Sequence, residues 1–312
     1  MEVKGKGGIS AKIVADSISS VNGKRITTFE LEYPRFIHSE FMTHRLFSRN
    51  AASSRAIPVE KVIEQVEDNP AMPIHWGINQ PGMQADDEHE DIESCKGAWK
   101  EFAGAVCDTA EVFNEQKLHK QIVNRILEPY QFIKVVLTAT EYDNFFWLRC
   151  HSDSQPEIRE LADCMYKARQ QNIPQELDPG EWHVPYVDYT KELGYTIPVD
   201  NDYENGRIDL TEEEALKVSA SCCAQVSYRV LDNSVEKACK IYDQLVESKP
   251  VHASPFEHQA TPMLYPEQID GIIVEEGATH IDRFGKTWSG NFKGWIQHRQ
   301  LIPDNVCWEY DK

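Results

Sequence analysis

Apolar and polar residues change their spacing several times along this chain, and each change marks an element. Lys12–Ser17 and Ile26–Tyr33 alternate, or gather β-branched residues, and so predict two strands. Between them, Val21-Asn22-Gly23-Lys24 has the chemistry of a hairpin turn. Glu40–Phe47 then reads as a helix, followed by a polar loop that Pro58 closes. Helical spacing returns over Ala98–Gln116, Asn144–Trp147 with its continuation, Pro156–Gln171 and Val235–Ser248. Periodicity alone specifies a mixed α+β chain.

Composition narrows the class. The chain has 312 residues, 41% hydrophobic and 27% charged, enough to bury one substantial core with insertions. It shows no repeat array and no apolar run of the ~20 residues that a transmembrane helix needs. Met1-Glu2-Val3-Lys4-Gly5-Lys6 lacks the apolar core of a signal peptide, so a cytoplasmic, membrane-free protein is expected. The formal charge is −19, with acids clustered in Asp86-Asp87-Glu88-His89-Glu90-Asp91 and Glu212-Glu213-Glu214. Such a surface repels duplex nucleic acid but tolerates a small anion wherever cations are concentrated. Eight cysteines fall without a Cys-x-x-Cys pair or a regular framework, so free thiols are expected. Neither His151 beside Cys150 nor His252 with His258 finds further ligands at a recognisable spacing, and no metal is expected.

Candidate chemistry concentrates in Thr43-His44-Arg45-Leu46-Phe47-Ser48-Arg49-Asn50-Ala51-Ala52-Ser53-Ser54-Arg55. Arginine forks, hydroxyls and backbone N–H groups together match a phosphate. The spacing His-Arg-x-x-Ser-x-Asn-x-x-Ser-x-Arg resembles the signature of the flavin-dependent thymidylate synthase family. Three further segments carry the resemblance: Leu148-Arg149 with Gln155-Pro156-Glu157-Ile158-Arg159, His252-Ala253-Ser254-Pro255-Phe256-Glu257-His258, and Ala224-Gln225-Val226-Ser227-Tyr228. The last two precede the arginine motif in the family but follow it here, a circularly permuted order that a fold tolerates when its termini lie close together. Segments near 59–119 and 172–215 match nothing and read as insertions or lid-like loops within one domain spanning 1–312.

The resemblance implies an α+β fold with an antiparallel sheet flanked by helices, assembled as a homotetramer whose sites lie between subunits. It implies reductive methylation of dUMP to dTMP, with methylenetetrahydrofolate as one-carbon donor and FAD as the hydride carrier that NADPH recharges. By position, Ser53, Ser54, Arg55 and Arg125 would hold the pyrimidine deoxynucleotide. Arg149 would bind the pyrimidine and act catalytically. His44, Arg45, Ser48, Asn50, Asn144, Ser227, His252, Ser254 and Glu257 would border FAD. For Arg149, a helical salt bridge to Glu157 or Asp153 is the plainer alternative.

Departures from the family pattern keep the substrate open. Thr43, Ala51 and Glu40 stand where the family has arginine, glutamate and glutamine, and Thr138 and Thr140 stand for an asparagine and an arginine near flavin. A flavin- and folate-dependent dUMP or dCMP hydroxymethylase, or a non-catalytic nucleotide- or flavin-binding protein, is therefore a further possibility. Gln297 and Arg299 fall where they could supply what Thr43 lacks; the alternative is an amphipathic terminal helix with His298 and Arg299 in solvent.

Overall fold

The computed structural model describes residues 1–199, 202–226, 232–267 and 275–310. Its main sheet contains β1 (Glu2–Lys4), β2 (Ser10–Ser19), β3 (Arg25–Pro34), β4 (Ser48–Ala51), β5 (Phe132–Ala139) and β6 (Gln175–Leu177), in the order β1-β2-β3-β5-β4 with β6 parallel to β2. All other pairings in this sheet are antiparallel. The predicted β2–β3 hairpin forms: Gly23 takes φ +65°, and the Asn22 side chain accepts the Lys24 N–H at 2.8 Å.

Between β3 and β4 lies the short α1 (His38–Phe41), not the helix expected over Glu40–Phe47. Phe41 and Phe47 are six residues apart and would face different sides of a continuous helix. Instead the chain bends, so that both rings pack with Phe145, at centroid distances of 5.1–5.9 Å. The Thr43 hydroxyl donates to the Glu40 carbonyl at 2.7 Å, and Arg49 caps the Phe41 carbonyl at 2.9 Å. Burial of two aromatic rings outweighs helical propensity here.

The segment near 59–119, read as an insertion or lid-like loop that carries a helix over Ala98–Gln116, is mainly helical, and that helix forms as part of a longer one. The segment holds α2 (Val59–Asp68) and α3 (Ile92–Glu115), which pack with α4 (Lys120–Leu127) around Val62, Ile63, Val66, Cys107 and Val123. After β5 come α5 (Asp143–Arg149) and α6 (Pro156–Gln171). The start of α6 is fixed by Pro156 and by Gln155, whose side chain accepts the Ile158 N–H at 2.9 Å. Ile158, Leu161, Met165 and Ala168 bury one face of α6 against Ile13, Leu31, Val135 and their neighbours on the sheet.

The segment near 172–215 also has its own structure. Beyond β6 it forms a meander of β7 (Asp188–Thr190), β8 (Gly194–Val199) and β9 (Asp202–Leu210). The meander packs on α7 (Glu212–Ala224), whose Thr211–Glu214 capping box sets its first turn, and on α8 (Val235–Glu247). A C-terminal layer follows, with β10 (Ala260–Pro262), β11 (His280–Ile281), β12 (Thr287–Ser289), β13 (Phe292–Lys293) and β14 (Trp295–Gln297). The amphipathic helix considered for the terminal segment is absent: β14 pairs with β10, a short 3-10 turn carries His298–Leu301, and His298 is buried against Trp182 and Phe256. The eight cysteines are all free thiols. No helix of the described residues is long and apolar enough to cross a membrane.

Candidate functional site

Arg149 ends α5, and its Nε–H donates to His44 Nε2 at 2.9 Å. The helical salt bridge to Glu157 or Asp153 does not form. His44 is seated edge-on against Phe145, at 4.8 Å between centroids. Burial, reinforced by the Arg149 and Arg49 cations, holds the imidazole down at about pKa 4. It is therefore neutral at pH 7, and Nε2 accepts from Arg149 while the other ring nitrogen carries the proton. The Arg149 Nη groups have no hydrogen-bond partner among the described residues and remain available to a ligand.

Two clefts meet at Leu148 and Arg149. One, of about 370 Å³, is lined by Thr43, His44, Arg45, Glu141, Asn144 and Arg149 among others. The second, of about 720 Å³, lies between Glu40, Met83, Trp147, His151 and Gln155. Met83, from the 59–119 segment, is fully exposed at its rim.

Ser53, Ser54, Arg55 and Arg125 line neither of these clefts. Their loop is fixed from below, because Asn124 Nδ2 donates to the carbonyls of Ser54 (2.6 Å) and Ile57 (3.0 Å). Ser54 is buried and donates to Glu128 Oε1 at 3.1 Å. Arg125 and Arg35 reach the same oxygen, at 3.3 and 3.1 Å. Ser53 Oγ accepts the Arg55 N–H at 3.3 Å, and the Arg55 side chain is exposed.

The residues considered for the flavin divide into two groups. His44, Arg45 and Asn144 line the smaller cleft, and their cation, amide and neutral imidazole suit a phosphate-bearing heterocycle. Ser48, Asn50 and Glu257 have their polar atoms engaged within the chain. Ser48 Oγ meets Asn291 Nδ2 at 3.0 Å and Gln297 Nε2 at 3.3 Å, and Asn50 Nδ2 donates to the Cys223 carbonyl at 3.2 Å. Glu257 pairs with Arg299. His252 and Ser254 are exposed beside the 3-10 turn Ser254–Glu257, which packs on β4. Ser227 lies outside the described residues. Gln297 and Arg299 thus join the two halves of the chain: the first bonds Ser48 of the arginine segment, the second Glu257 of the Ser-Pro-Phe-Glu-His segment.

Across β2, β3 and β5 runs a buried chain of hydrogen bonds. It links Ser17, His183 Nδ1 and Nε2, Thr28, Thr138 and His258 Nδ1 at 2.7–2.9 Å per step. Burial holds both histidines at about pKa 3, and His258 Nε2 has no partner among the described residues. Sequence reasoning missed His183, Thr28 and Asn291. Each lies in a strand or loop without a motif, and nothing local signals a partner more than a hundred residues away.

Comparisons with known proteins complete the picture. A family model described as "Thymidylate synthase complementing protein" matches residues 4–175, so the segment 252–258 lies beyond the match. No curated protein matches the sequence. Two crystal structures of the UMP/dUMP methylase PolB from Streptomyces cacaoi, bound with 5-Br dUMP and 5-Br UMP, are each 16% identical to this chain. Their TM-scores are 0.43 and 0.44; the alignments cover 53% and 52% of this chain and 91% and 89% of theirs.

Proposed function

The chain belongs to the thymidylate synthase complementing protein family, the flavin-dependent thymidylate synthases, and on that premise we propose that the cleft at Arg149 reductively methylates dUMP to dTMP. The one-carbon unit comes from methylenetetrahydrofolate. When bound, FAD supplies the hydride, which NADPH replaces. The observation that carries this reading is the Arg149–His44 pair at the junction of two clefts. A guanidinium held through Nε, with both Nη groups open, fits a pyrimidine carbonyl on which negative charge develops as C5 turns nucleophilic. His44 keeps that fork oriented and, being neutral, adds no competing charge. Arg45 and Asn144 would border the cofactor, and Ser53, Arg55 and Arg125, which line neither cleft of their own chain, would grip the phosphate of a nucleotide bound in the Arg149 cleft of a second copy. The exposed positions of His252, Ser254 and Arg55 suit sites completed by a second copy, as in a homotetramer. Positioning and preorganised charge then do the catalytic work, with no protein nucleophile.

The test is incubation of the purified protein with FAD, NADPH, methylenetetrahydrofolate and dUMP tritiated at C5, followed by mass spectrometry of the nucleotide. Release of tritium with gain of a methyl group is expected. Nucleotide binding without release would overturn the enzymatic reading. A second reading rests on Thr43, whose hydroxyl is spent on the Glu40 carbonyl and offers no cation to the cleft. It gives a hydroxymethyl product, from dUMP or dCMP, if water captures the one-carbon unit.

A further inference from the structure

Three lysines from separate parts of the chain converge on one concave surface. Lys24 leads into β3, Lys286 precedes β12 and Lys293 lies in β13; together with Asn22, Pro266, Glu267 and Gly294 they line a cleft of about 400 Å³. In a chain of net charge −19 the lining holds three cations and one carboxylate, Glu267, while Glu141 and Asp282 pair with Lys24 and Lys293 from outside it, so the local charge is balanced rather than negative. The floor is built rather than incidental. Asn22 Nδ2 donates to the Gly294 carbonyl at 3.1 Å, and Gly294 has φ +70°, where a Cβ would lie 2.7 Å from that same Nδ2. Trp295 Nε1 holds the Lys24 carbonyl at 3.0 Å, and Thr140 Oγ1 accepts the Lys293 N–H at 3.0 Å.

This surface shares a wall with the candidate active site. Lys24 pairs with Glu141, and Glu141 lines the smaller cleft with His44, Asn144 and Arg149. The other two lysines also rest on carboxylates, Lys286 on Glu267 and Lys293 on Asp282 at 3.2 Å. These are partly exposed pairs of small worth, which an incoming multivalent anion can replace. A molecule occupying the Arg149 cleft therefore has Lys286 and Lys293 beyond the Lys24–Glu141 pair, cations that a multivalent anion can draw from their carboxylates. We propose that the Lys24–Lys286–Lys293 cleft is an anion subsite that holds the terminal carboxylates or phosphate of a co-substrate whose reacting end lies in the Arg149 cleft. The link to a co-substrate rests on the function proposed above; the anion site itself does not.

Calorimetric titration of the full chain with two probes, tripolyphosphate and tri-γ-glutamate, tests the subsite without turnover. Binding that weakens with salt is expected. In the double variant Lys286→Gln/Lys293→Gln it should weaken about tenfold or more, and Lys286→Arg/Lys293→Arg should restore it. Thermal melting checks that each variant is folded; if the glutamine pair fails to fold, each single variant is titrated instead. Failure of both probes to bind, or equal binding by wild type and glutamine variant, would overturn the subsite. Steady-state kinetics then separates the sources. A lower KM for oligoglutamyl than for monoglutamyl methylenetetrahydrofolate, lost in the glutamine variant, assigns the carboxylate tail. A preference for NADPH over NADH lost in that variant assigns the phosphate. If the probes bind but neither preference responds to the variant, the co-substrate link is wrong. A folded protein that binds the probes yet releases no C5 tritium would sink the proposed function while leaving the anion site standing.

Discussion

Arg149 draws its proposed role from how it is held: its Nε–H is spent on His44, and its two Nη groups have no partner among the described residues at the junction of the clefts. Arg149→Ala should lower the rate of C5 tritium release by about 10²–10³-fold or more while flavin absorption of the reconstituted protein is retained. Unchanged turnover would remove the assignment. His44 acts one step back, as a positioning residue. Its folded pKa is depressed to about 4, so protonation, which would cost Arg149 its acceptor and set two cations face to face, occurs only in acid. The turnover profile should therefore show no limb owed to His44 from about pH 8 to about pH 5, and a fall towards pH 4. His44→Gln, which keeps an acceptor, should abolish that acid limb while retaining most activity near neutrality; a limb near pH 6.5 that disappears in the variant would contradict the depressed value.

At the scale of elements, the joint between β4 and the C-terminal layer decides whether the motifs meet. Asn291 Nδ2 donates to the Leu46 carbonyl at 2.9 Å and to Ser48 Oγ at 3.0 Å, and its Oδ1 receives Gln297 Nε2 at 2.9 Å. Asn291→Ala leaves the buried Ser48 and Gln297 polar groups short of a partner, at a cost of about 1–3 kcal/mol. Urea unfolding should show a lower midpoint with an unchanged slope. A change in slope instead would mean that the C-terminal layer had ceased to unfold with the sheet.

Across the whole molecule, acid sensitivity follows from neutral histidines buried between layers. His183 and His258 are held at about pKa 3 and His298 at about 4, against 6.5 for the free side chain. Below about pH 6.5 the unfolded chain binds protons that the folded chain refuses, so this stability is complete above that pH and is lost as pH falls towards 3–4. The decline should amount to several kcal/mol across the three groups. Denaturant midpoints between pH 7 and 4 should fall less steeply for His183→Gln than for wild type; an equal slope would mean that another set of groups governs acid unfolding.

What the sequence determined by itself is local. The β2–β3 hairpin and helix α6 were legible because turn chemistry, N-caps and periodicity act between near neighbours. The arginine and Leu-Arg segments lie within the span 4–175 that the family model matches, whereas the Ser-Pro-Phe-Glu-His segment lies beyond it. Only the tertiary structure decided the bend after α1, where two aromatic rings share one core, and the packing of the segments near 59–119 and 172–215 into clusters of their own, although the helix over Ala98–Gln116 was legible and appears as α3. It also decided the partners of Ser48, Glu257 and His258, and the meeting of Lys24 with Lys286 and Lys293 across more than two hundred residues. Burial and long-range hydrogen bonds act through space, and a side chain carries no local mark of a partner that the chain delivers only when it folds.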